Sequence, residues 1–295
     1  MEKQHKSGFV NILGSPNMGK STLMNVLVGE NLSAITHKAQ TTRHRIMGIV
    51  NGEDYQIVFS DTPGILKPSY KLHEGMMGFV KTSLSDADVI LFVTDTKEST
   101  FPDEEILAKI QKTKSPLLIL INKIDLSTQE QLINRVNHWH EVFPKAEILP
   151  ISALNKLNTG LILEKIISLL PVCPPYYPKD ELTDKSERFF VSEIIREKIL
   201  LNYNKEVPYS CEVLIESFKE EKKMIRIRAN IMVARNSQKG IIIGHKGEML
   251  KKVGQESRID MEKFLNKKVF LELFVKVDED WRNNEQKLKK YGYIN

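Results

Sequence analysis

The sequence is poor in the features that mark secreted, metal-bound and membrane-spanning proteins. Only two cysteines occur in 295 residues, Cys173 and Cys211, and their spacing fits neither a metal site nor a disulfide framework. The longest uninterrupted aliphatic run, Leu117–Ile121, is far shorter than the roughly 20 residues of a membrane-spanning helix. The first residues are polar and form no apolar signal segment. These absences favour a protein of the reducing cytosol.

Charge is divided unevenly along the chain. The net charge is +5, of which residues 1–186 contribute −1 and residues 187–295 contribute +6. A polyanionic partner is therefore expected to bind the second part. The alternative is a solvated basic surface, because an excess of this size does not require a partner.

Apolar runs alternate with helix-like segments in the first part of the chain. This alternation predicts an α/β domain with a doubly wound, mainly parallel sheet. The Asn51-Gly52 turn signal lies between the second and third runs, so one of these two is expected to be an antiparallel edge strand. The runs are Phe9–Leu13, Arg45–Val50, Tyr55–Ser60, Val89–Thr94, Leu117–Ile121 and Ile148–Ile151.

A proline-rich segment, residues 171–186, interrupts this pattern and is expected to form a stiff, solvated linker. It separates a predicted domain of residues 1–170 from a second domain of residues 187–295. The second part reads as α-β-β-α-α-β, followed by a polar C-terminal helix, Trp281–Lys290. This order predicts a smaller α+β domain.

Residues 14–21 match the phosphate-binding pattern G-x-x-x-x-G-K-[ST] in full, between the first strand and a helix. The two glycines let the backbone curl, so that its N–H groups point at phosphate oxygens. Lys20 is expected to reach the β- and γ-phosphates, and Ser21 to ligate Mg²⁺. The alternative is a glycine-rich turn capped by serine. The nucleotide contacts expected here come from Gly14, Ser15, Pro16, Asn17, Met18, Gly19, Lys20, Ser21 and Thr22.

A second motif, Asp61-Thr62-Pro63-Gly64, follows the third strand. An acid at this strand end can hold Mg²⁺ through a water. Gly64 leaves room for its backbone N–H to approach the γ-phosphate. Taken alone, the four residues equally fit an ordinary β-turn.

A third motif, Asn122-Lys123-Ile124-Asp125, is typical of guanine recognition. A buried Asp125 can accept two hydrogen bonds from the guanine N1–H and exocyclic amine, and would be left unpaired by adenine. Asn122 is expected to brace the loops, and the stem of Lys123 to cover one face of the base. Ser152 and Ala153 follow the sixth strand and are expected to offer backbone N–H groups to guanine O6.

A long polar stretch, residues 31–44, is expected to switch with the nucleotide. A hydroxyl within Gln40-Thr41-Thr42-Arg43 can complete the Mg²⁺ coordination only when a γ-phosphate is present. We favour Thr42 over Thr41 as that ligand. All these motifs share one ligand, and their strand ends face one edge of the sheet, where such folds bind nucleotides.

The combination G-S-P-N-M-G-K-S, Q-T-T-R-H, D-T-P-G-I and N-K-I-D resembles the translation-factor-like P-loop GTPases, and the Era family in particular. The resemblance implies GTP and GDP as ligands, Mg²⁺ as the metal, and Lys20, Thr42, Gly64 and Asn17 as the catalytic residues. Relatives that share Asn17 can use a potassium ion near the phosphates. Ile65 stands where many signalling GTPases carry glutamine, so slow intrinsic hydrolysis is expected.

In the second part, Gly244-His245-Lys246-Gly247 resembles the G-x-x-G loop of a KH RNA-binding domain. With Lys251 and Lys252 on the following helix, this loop is expected to hold about four unpaired nucleotides. The bare pattern is common by chance, so a structural turn between helices is the alternative.

The leading hypothesis is a GTP-controlled factor that binds 16S ribosomal RNA near its 3′ end and assists 30S subunit assembly, as the resemblance implies. Such a protein is expected to be a cytoplasmic monomer that associates weakly with the inner membrane face. Two alternatives are a GTPase of tRNA modification and a peripheral membrane GTPase whose basic second domain meets anionic lipid.

Overall fold

The computed structural model describes residues 4–98, 101 and 103–294. These residues form two compact units. The first unit runs to Asp184 but excludes residues 70–72, and the second contains residues 70–72 together with the chain from Lys185 onward. Within the described ranges no helix is long and apolar enough to cross a membrane.

The first unit is built on a six-stranded sheet in the order β2-β3-β1-β4-β5-β6. Only the pairing of β2 with β3 is antiparallel, so the predicted edge strand is confirmed as β2. The predicted doubly wound, mainly parallel sheet is likewise confirmed. The strands are β1 (Lys6–Leu13), β2 (Ile46–Asn51), β3 (Tyr55–Asp61), β4 (Val89–Asp95), β5 (Leu117–Asn122) and β6 (Glu147–Pro150).

Helices cover both faces of this sheet, which explains why β4 and β5 are apolar along nearly their whole length. Local sequence sets several of the helix ends. The side chain of Asp103 caps α3, and Thr128 and Gln131 form a capping box at the start of α4. The helices are α1 (Lys20–Val28), α2 (Lys71–Ser85), α3 (Glu104–Lys112), α4 (Gln129–Val142) and α5 (Thr159–Leu169).

The proline-rich segment of residues 171–184 is bonded to this sheet and differs from the solvated linker expected from its composition. Its start bonds the beginning of β1, and its end, residues 182–184, lies along the open edge at β2. The backbone N–H of Ile49 in β2 donates to the carbonyl oxygen of Leu182 at 2.8 Å. The N–H of Met47 donates to Asp184 Oδ1 at 3.1 Å, and Thr183 Oγ1 donates to the Met47 carbonyl oxygen at 2.7 Å.

The second unit contains a three-stranded sheet in the order β7-β8-β9, with β7 antiparallel and β9 parallel to the central strand. The element order α-β-β-α-α-β agrees with the prediction. Isoleucines alternate with exposed Arg226 and Arg228 along β8, so one face of the sheet is buried under the helices. The elements are α6 (Glu187–Asn202), β7 (Cys211–Glu220), β8 (Ile225–Val233), α7 (Asn236–Ile243), α8 (Glu248–Phe264) and β9 (Val269–Val277).

The C-terminal segment differs from the expected polar helix over residues 281–290. The helix α9 (Glu285–Lys290) begins four residues later. Trp281 precedes it, is fully buried, and donates its indole N–H to the carbonyl oxygen of Ser210 at 3.0 Å. Tyr291 and Tyr293 pack near the indole, with ring centroids 5.6 and 6.4 Å away. The aromatic residues at the two ends of the segment attach it to the second unit. The lysines between them are the reason that the sequence predicted a polar, solvated helix.

Candidate nucleotide site and RNA-binding groove

A cavity of about 500 Å³ opens at the carboxyl ends of the parallel strands in the first unit. It brings together most of the residues that the motifs predicted, although these are spread over more than 130 positions of the sequence. The predicted residues that line it are Pro16, Asn17, Gly19, Lys20, Ser21, Thr22, Thr42, Thr62, Gly64, Asn122, Lys123, Asp125, Ser152 and Ala153. The predicted residues that do not line it are Gly14, Ser15, Met18, Asp61 and Pro63; these lie behind it in the same loops.

The loop between β1 and α1 has the curled backbone that phosphate binding requires. Gly19 has a φ of 90°, and a Cβ atom at this position would lie 2.3 Å from Asn122 Nδ2. Glycine is therefore required by both conformation and packing. The Lys20 amine donates to the carbonyl oxygens of Gly14 and Ser15, at 3.0 and 2.8 Å.

Lys20 is buried, and its charge is balanced by two acids. Burial lowers the pKa of Lys20 to about 8, against the opposing effect of Asp61 and Glu98. The amine is therefore still mainly protonated at pH 7. A cation held in this low-dielectric position interacts strongly with any anion that enters the cavity.

Three oxygen-bearing side chains meet beside Lys20. Ser21 Oγ lies 2.8 Å from Thr42 Oγ1 and donates to Asp61 Oδ2 at 2.7 Å, and Thr42 Oγ1 lies 3.2 Å from the same carboxylate oxygen. Burial raises the pKa of Asp61, whereas Lys20 and the two hydroxyl groups act to lower it. One carboxylate and two hydroxyl groups are hard oxygen ligands that fit Mg²⁺.

The structure separates the two threonines of the switch segment. Thr42 is buried and contacts Ser21 and Asp61, whereas Thr41 Oγ1 contacts Thr36 Oγ1 at 2.6 Å and donates to the Lys38 carbonyl oxygen at 2.6 Å. The preference for Thr42 as the metal ligand agrees with this geometry.

The turn after β3 brings its backbone close to the phosphate loop. A Cβ atom on Gly64 would lie within 2.8 Å of Pro16 atoms, so no larger residue fits. The N–H of Ile65 donates to the Gly14 carbonyl oxygen at 3.0 Å, and the Ile65 side chain is fully buried. This aliphatic side chain therefore cannot orient a water molecule.

Asn122 braces the loops at the base end of the cavity, as expected. Its Nδ2 donates to the Met18 carbonyl oxygen at 2.8 Å, and its Oδ1 accepts from the Ala153 N–H at 2.9 Å. The Ser152 N–H donates to the Leu157 carbonyl oxygen at 3.2 Å. Both N–H groups expected to meet guanine O6 thus already have partners, and that contact stays a prediction.

Asp125 lies at the mouth of the cavity and is exposed, whereas the sequence argument assumed a buried carboxylate. The three-residue turn that carries it, Ile124–Leu126, has no buried residue. Discrimination against adenine at this position would therefore arise only when a bound base covers the carboxylate and excludes water from it.

The loop that follows β4 was not predicted as part of the site, yet it contacts both ends of it. Asp95 Oδ2 lies 3.0 Å from Lys123 Nζ, and Glu98 accepts hydrogen bonds from the hydroxyl groups of Ser15 and Thr94. Burial acts to raise the pKa of Asp95, but hydrogen bonds from Lys123 and the Lys97 N–H outweigh it and lower that pKa. In the sequence, Asp95 and Glu98 stand at and just after the end of a buried parallel strand, and this position was the available signal that they belong to the site.

In the second unit, the predicted G-x-x-G loop forms a tight turn between α7 and α8. Gly244 has a φ of 73°, and a Cβ atom there would lie 2.7 Å from the Met249 side chain, so glycine is required. His245 and Lys246 are exposed at the tip of the turn. This geometry lets a nucleic-acid backbone approach closely.

A groove of about 430 Å³ begins at this loop and runs between α8 and β9. Of the predicted residues, Gly247 and Lys251 line it, whereas Lys252 lies outside it and pairs with Glu256 at 3.8 Å. Sequence reasoning missed four groove residues on α8, for which helical spacing from Gly247 was the signal, and two on β9, for which alternation along the strand was the signal. These are Leu250, Gly254, Gln255 and Arg258 on α8, and Leu271 and Leu273 on β9.

The fold and the two sites define a P-loop GTPase domain followed by a KH domain. The family of 50S ribosome-binding GTPases matches residues 9–123, and the KH domain family matches residues 206–282. The protein named GTPase Era from Geotalea daltonii is 46% identical over 295 residues, and the match covers 99% of each chain. GTPase Era from Clostridium kluyveri is 46% identical over 290 residues, which is 98% of this chain and 99% of that one.

Solved structures agree with this assignment. A crystal structure of Era in complex with MgGDPNP and nucleotides 1506–1542 of 16S ribosomal RNA has a TM-score of 0.94. It is 40% identical and covers 99% of this chain and all of that one. A structure of Aquifex aeolicus Era bound to GDP·AlF4⁻ has a TM-score of 0.93 at 40% identity, with 98% and 100% coverage. The chain belongs to the Era family of GTPases.

Proposed function

We propose that this protein hydrolyses GTP slowly and binds 16S ribosomal RNA near its 3′ end, in a manner set by its nucleotide state, to assist 30S subunit assembly. The observation that carries the proposal is a full-length relative in complex with both a GTP analogue and such an RNA. The phosphate loop and the G-x-x-G groove of this chain have the geometry that each ligand needs.

In this proposal the first unit binds GTP through contacts divided along the cavity. Lys20 and the N–H groups of residues 14–21 hold the β- and γ-phosphates, and Asp125 accepts hydrogen bonds from guanine. Ser21, Thr42 and Asp61 would hold Mg²⁺, which offsets charge that develops on the phosphates. The Gly64 N–H lies on the side of the phosphate loop where a γ-phosphate would meet it.

Slow hydrolysis is expected because Ile65 cannot orient the attacking water. The backbone and other residues must then position that water. Asn17 is exposed at the cavity wall, and its carbonyl oxygen accepts from Lys123 Nζ at 2.6 Å. The use of a potassium ion beside Asn17 stays a prediction, as do a cytoplasmic location, a monomeric state and weak association with the membrane.

The RNA assignment is tested by binding of the full-length protein to an oligonucleotide with the 16S 3′-end sequence and to a scrambled one of equal length. Titrations with GDP and with a non-hydrolysable GTP analogue test the switch in the same experiment. We expect the 3′-end sequence to bind more tightly and the two nucleotides to give different affinities, because ligands that are coupled through one protein alter each other's binding. Equal binding of both oligonucleotides would contradict the proposal.

The double variant His245→Asp, Lys246→Asp is expected to lower affinity for the 3′-end oligonucleotide at least about tenfold, because it places two negative charges where the RNA backbone approaches. Both residues are exposed, and Lys246 has a φ of 48°, which aspartate tolerates. GDP binding by the first unit should not change.

The matched control is Lys222→Asp, Lys223→Asp, in the exposed turn between β7 and β8, which changes the net charge at least as much. A similar loss of RNA affinity in both double variants would indicate general electrostatics instead of a role of the G-x-x-G loop.

A further inference from the structure

The loop after β4 holds a carboxylate against the back of the phosphate-binding loop. Glu98 accepts a hydrogen bond from the Ser15 hydroxyl through Oε1 and one from Thr94 Oγ1, at 2.6 Å, through Oε2. Its own N–H donates to Asp95 Oδ1 at 3.1 Å, which fixes the loop locally. Glu98 is thus held in place against Ser15.

Ser15 links Glu98 to Lys20, the cation that phosphates would bind. The Ser15 hydroxyl donates to Glu98, and the Ser15 carbonyl oxygen accepts from the Lys20 amine at 2.8 Å. Burial raises the pKa of Glu98, and the nearby charge of Lys20 acts to lower it. The carboxylate of Glu98 in turn acts to raise the pKa of Lys20. Lys20 is therefore already partly neutralised by a fixed acid of the protein.

A bound nucleotide places several negative charges on the same lysine and the same loop. Two anions near one buried cation repel each other, and the low dielectric of the site strengthens the repulsion. The exposed acids of the first unit exert no comparable effect, because solvent screens them. Asp95 differs from Glu98 because its charge is paired directly with Lys123.

We propose that Glu98 weakens the binding of nucleotide phosphates by the phosphate loop, and so speeds the release of GDP. Glu98 acts through Lys20 and Ser15 as a positioning residue. Its fixed charge next to them sets the affinity for nucleotide phosphates. This inference rests on the proposed GTP site and concerns how that site releases its product.

The decisive variant is Glu98→Gln, which keeps the shape and one of the two accepting oxygens, replaces the other with an amide group that can donate to a hydroxyl oxygen, and removes the charge. Release of a fluorescent GDP analogue from the full-length protein with Mg²⁺ is expected to slow about tenfold. The matched control is Glu105→Gln on α3, an exposed acid paired with Lys81 and Lys109, which should release GDP at the wild-type rate.

Competition with guanosine separates electrostatics from a structural role. Guanosine has no phosphates, so Glu98→Gln should leave its affinity within about twofold of wild type while GDP affinity rises about tenfold. A variant that had merely loosened the loop would lower the affinity for both.

The pH profile provides a second discriminating measurement. Bound phosphates favour the protonated form of Glu98, so the gain in GDP affinity of Glu98→Gln over wild type is expected to shrink as the pH falls. Comparison of the two proteins cancels the titration of the nucleotide and of the groups that both proteins share. The charged groups that act on Glu98 are Asp95, which raises its pKa, and Lys20, which lowers it.

Release from Glu98→Gln that is as fast as or faster than wild type, or a gain in GDP affinity that does not change with pH, would overturn the inference. Failure of the wild-type protein to bind GDP would instead contradict the proposed GTP site. The two failures are therefore distinguishable.

Discussion

Asp125→Asn is expected to lower GTP and GDP affinity by about 10²- to 10⁴-fold and to create a preference for xanthine nucleotides. In the proposed site the carboxylate would accept hydrogen bonds from two guanine donors, and hydrogen bonds to a charged group are each worth about 1.5–3 kcal/mol. Asparagine turns a donor toward the guanine amine, which leaves two donors facing each other. Xanthine has a carbonyl oxygen at that position, so the asparagine amide pairs with it.

The exposure of Asp125 makes this test more informative. A carboxylate that stays hydrated loses little binding free energy when it faces adenine at a distance. Discrimination between the two bases by Asp125 therefore depends on a base that covers the cavity mouth.

Competition between GDP and xanthosine diphosphate gives the ratio of their two affinities directly. Asp180→Asn, an exposed acid in the same unit, serves as the control and should not alter it. Unchanged preference for GDP in Asp125→Asn would remove this residue from the base-binding set.

Trp281→Ala is expected to destabilise the second unit by about 3–5 kcal/mol, because it leaves a large cavity and an unpaired carbonyl oxygen. The indole is fully buried, and the side chains of Tyr291 and Tyr293 rest near it. Hydrogen exchange measured by mass spectrometry should show faster exchange across residues 187–294 and unchanged protection of the central strands of the first unit.

The conservative variant Trp281→Phe fills most of the cavity but lacks the indole N–H. It should therefore destabilise the second unit clearly less than Trp281→Ala does. Tyr293 also donates to Glu212 at 2.5 Å, within a buried group that contains Arg196 and Glu193. The C-terminal residues therefore stabilise a charged cluster in addition to the apolar core. Equal destabilisation of both units would show that Trp281 acts globally and not through its own unit.

The nucleotide motifs were predictable because each carries its chemistry in adjacent residues and follows a buried strand. Gly19, Lys20 and Ser21 need only the turn between β1 and α1, and the fold brings Asp61 to them. The KH arrangement was predictable for the same reason, since element order and one loop define it. The family comparisons confirm both assignments.

Residues whose role depends on a distant partner could not be found in this way. Glu98 contacts Ser15 across 83 positions, and apart from its place after β4 nothing in the local sequence indicates burial. The exposure of Asp125 depends on the shape of the loops around it. Trp281 was assigned to a polar helix because the lysines of residues 287–290 dominate the local pattern, whereas packing against Ser210 decides its position.

The end of the segment of residues 171–184 covers the sheet edge formed by β2. During synthesis the chain emerges from its N-terminus, so β2 has no partner on its open side until Asp184 has been made. A nascent first unit therefore presents a bare strand edge to neighbouring chains, and bare edges promote intermolecular pairing. Completion of this short segment thus removes the exposed β2 edge while the rest of the chain is still being translated.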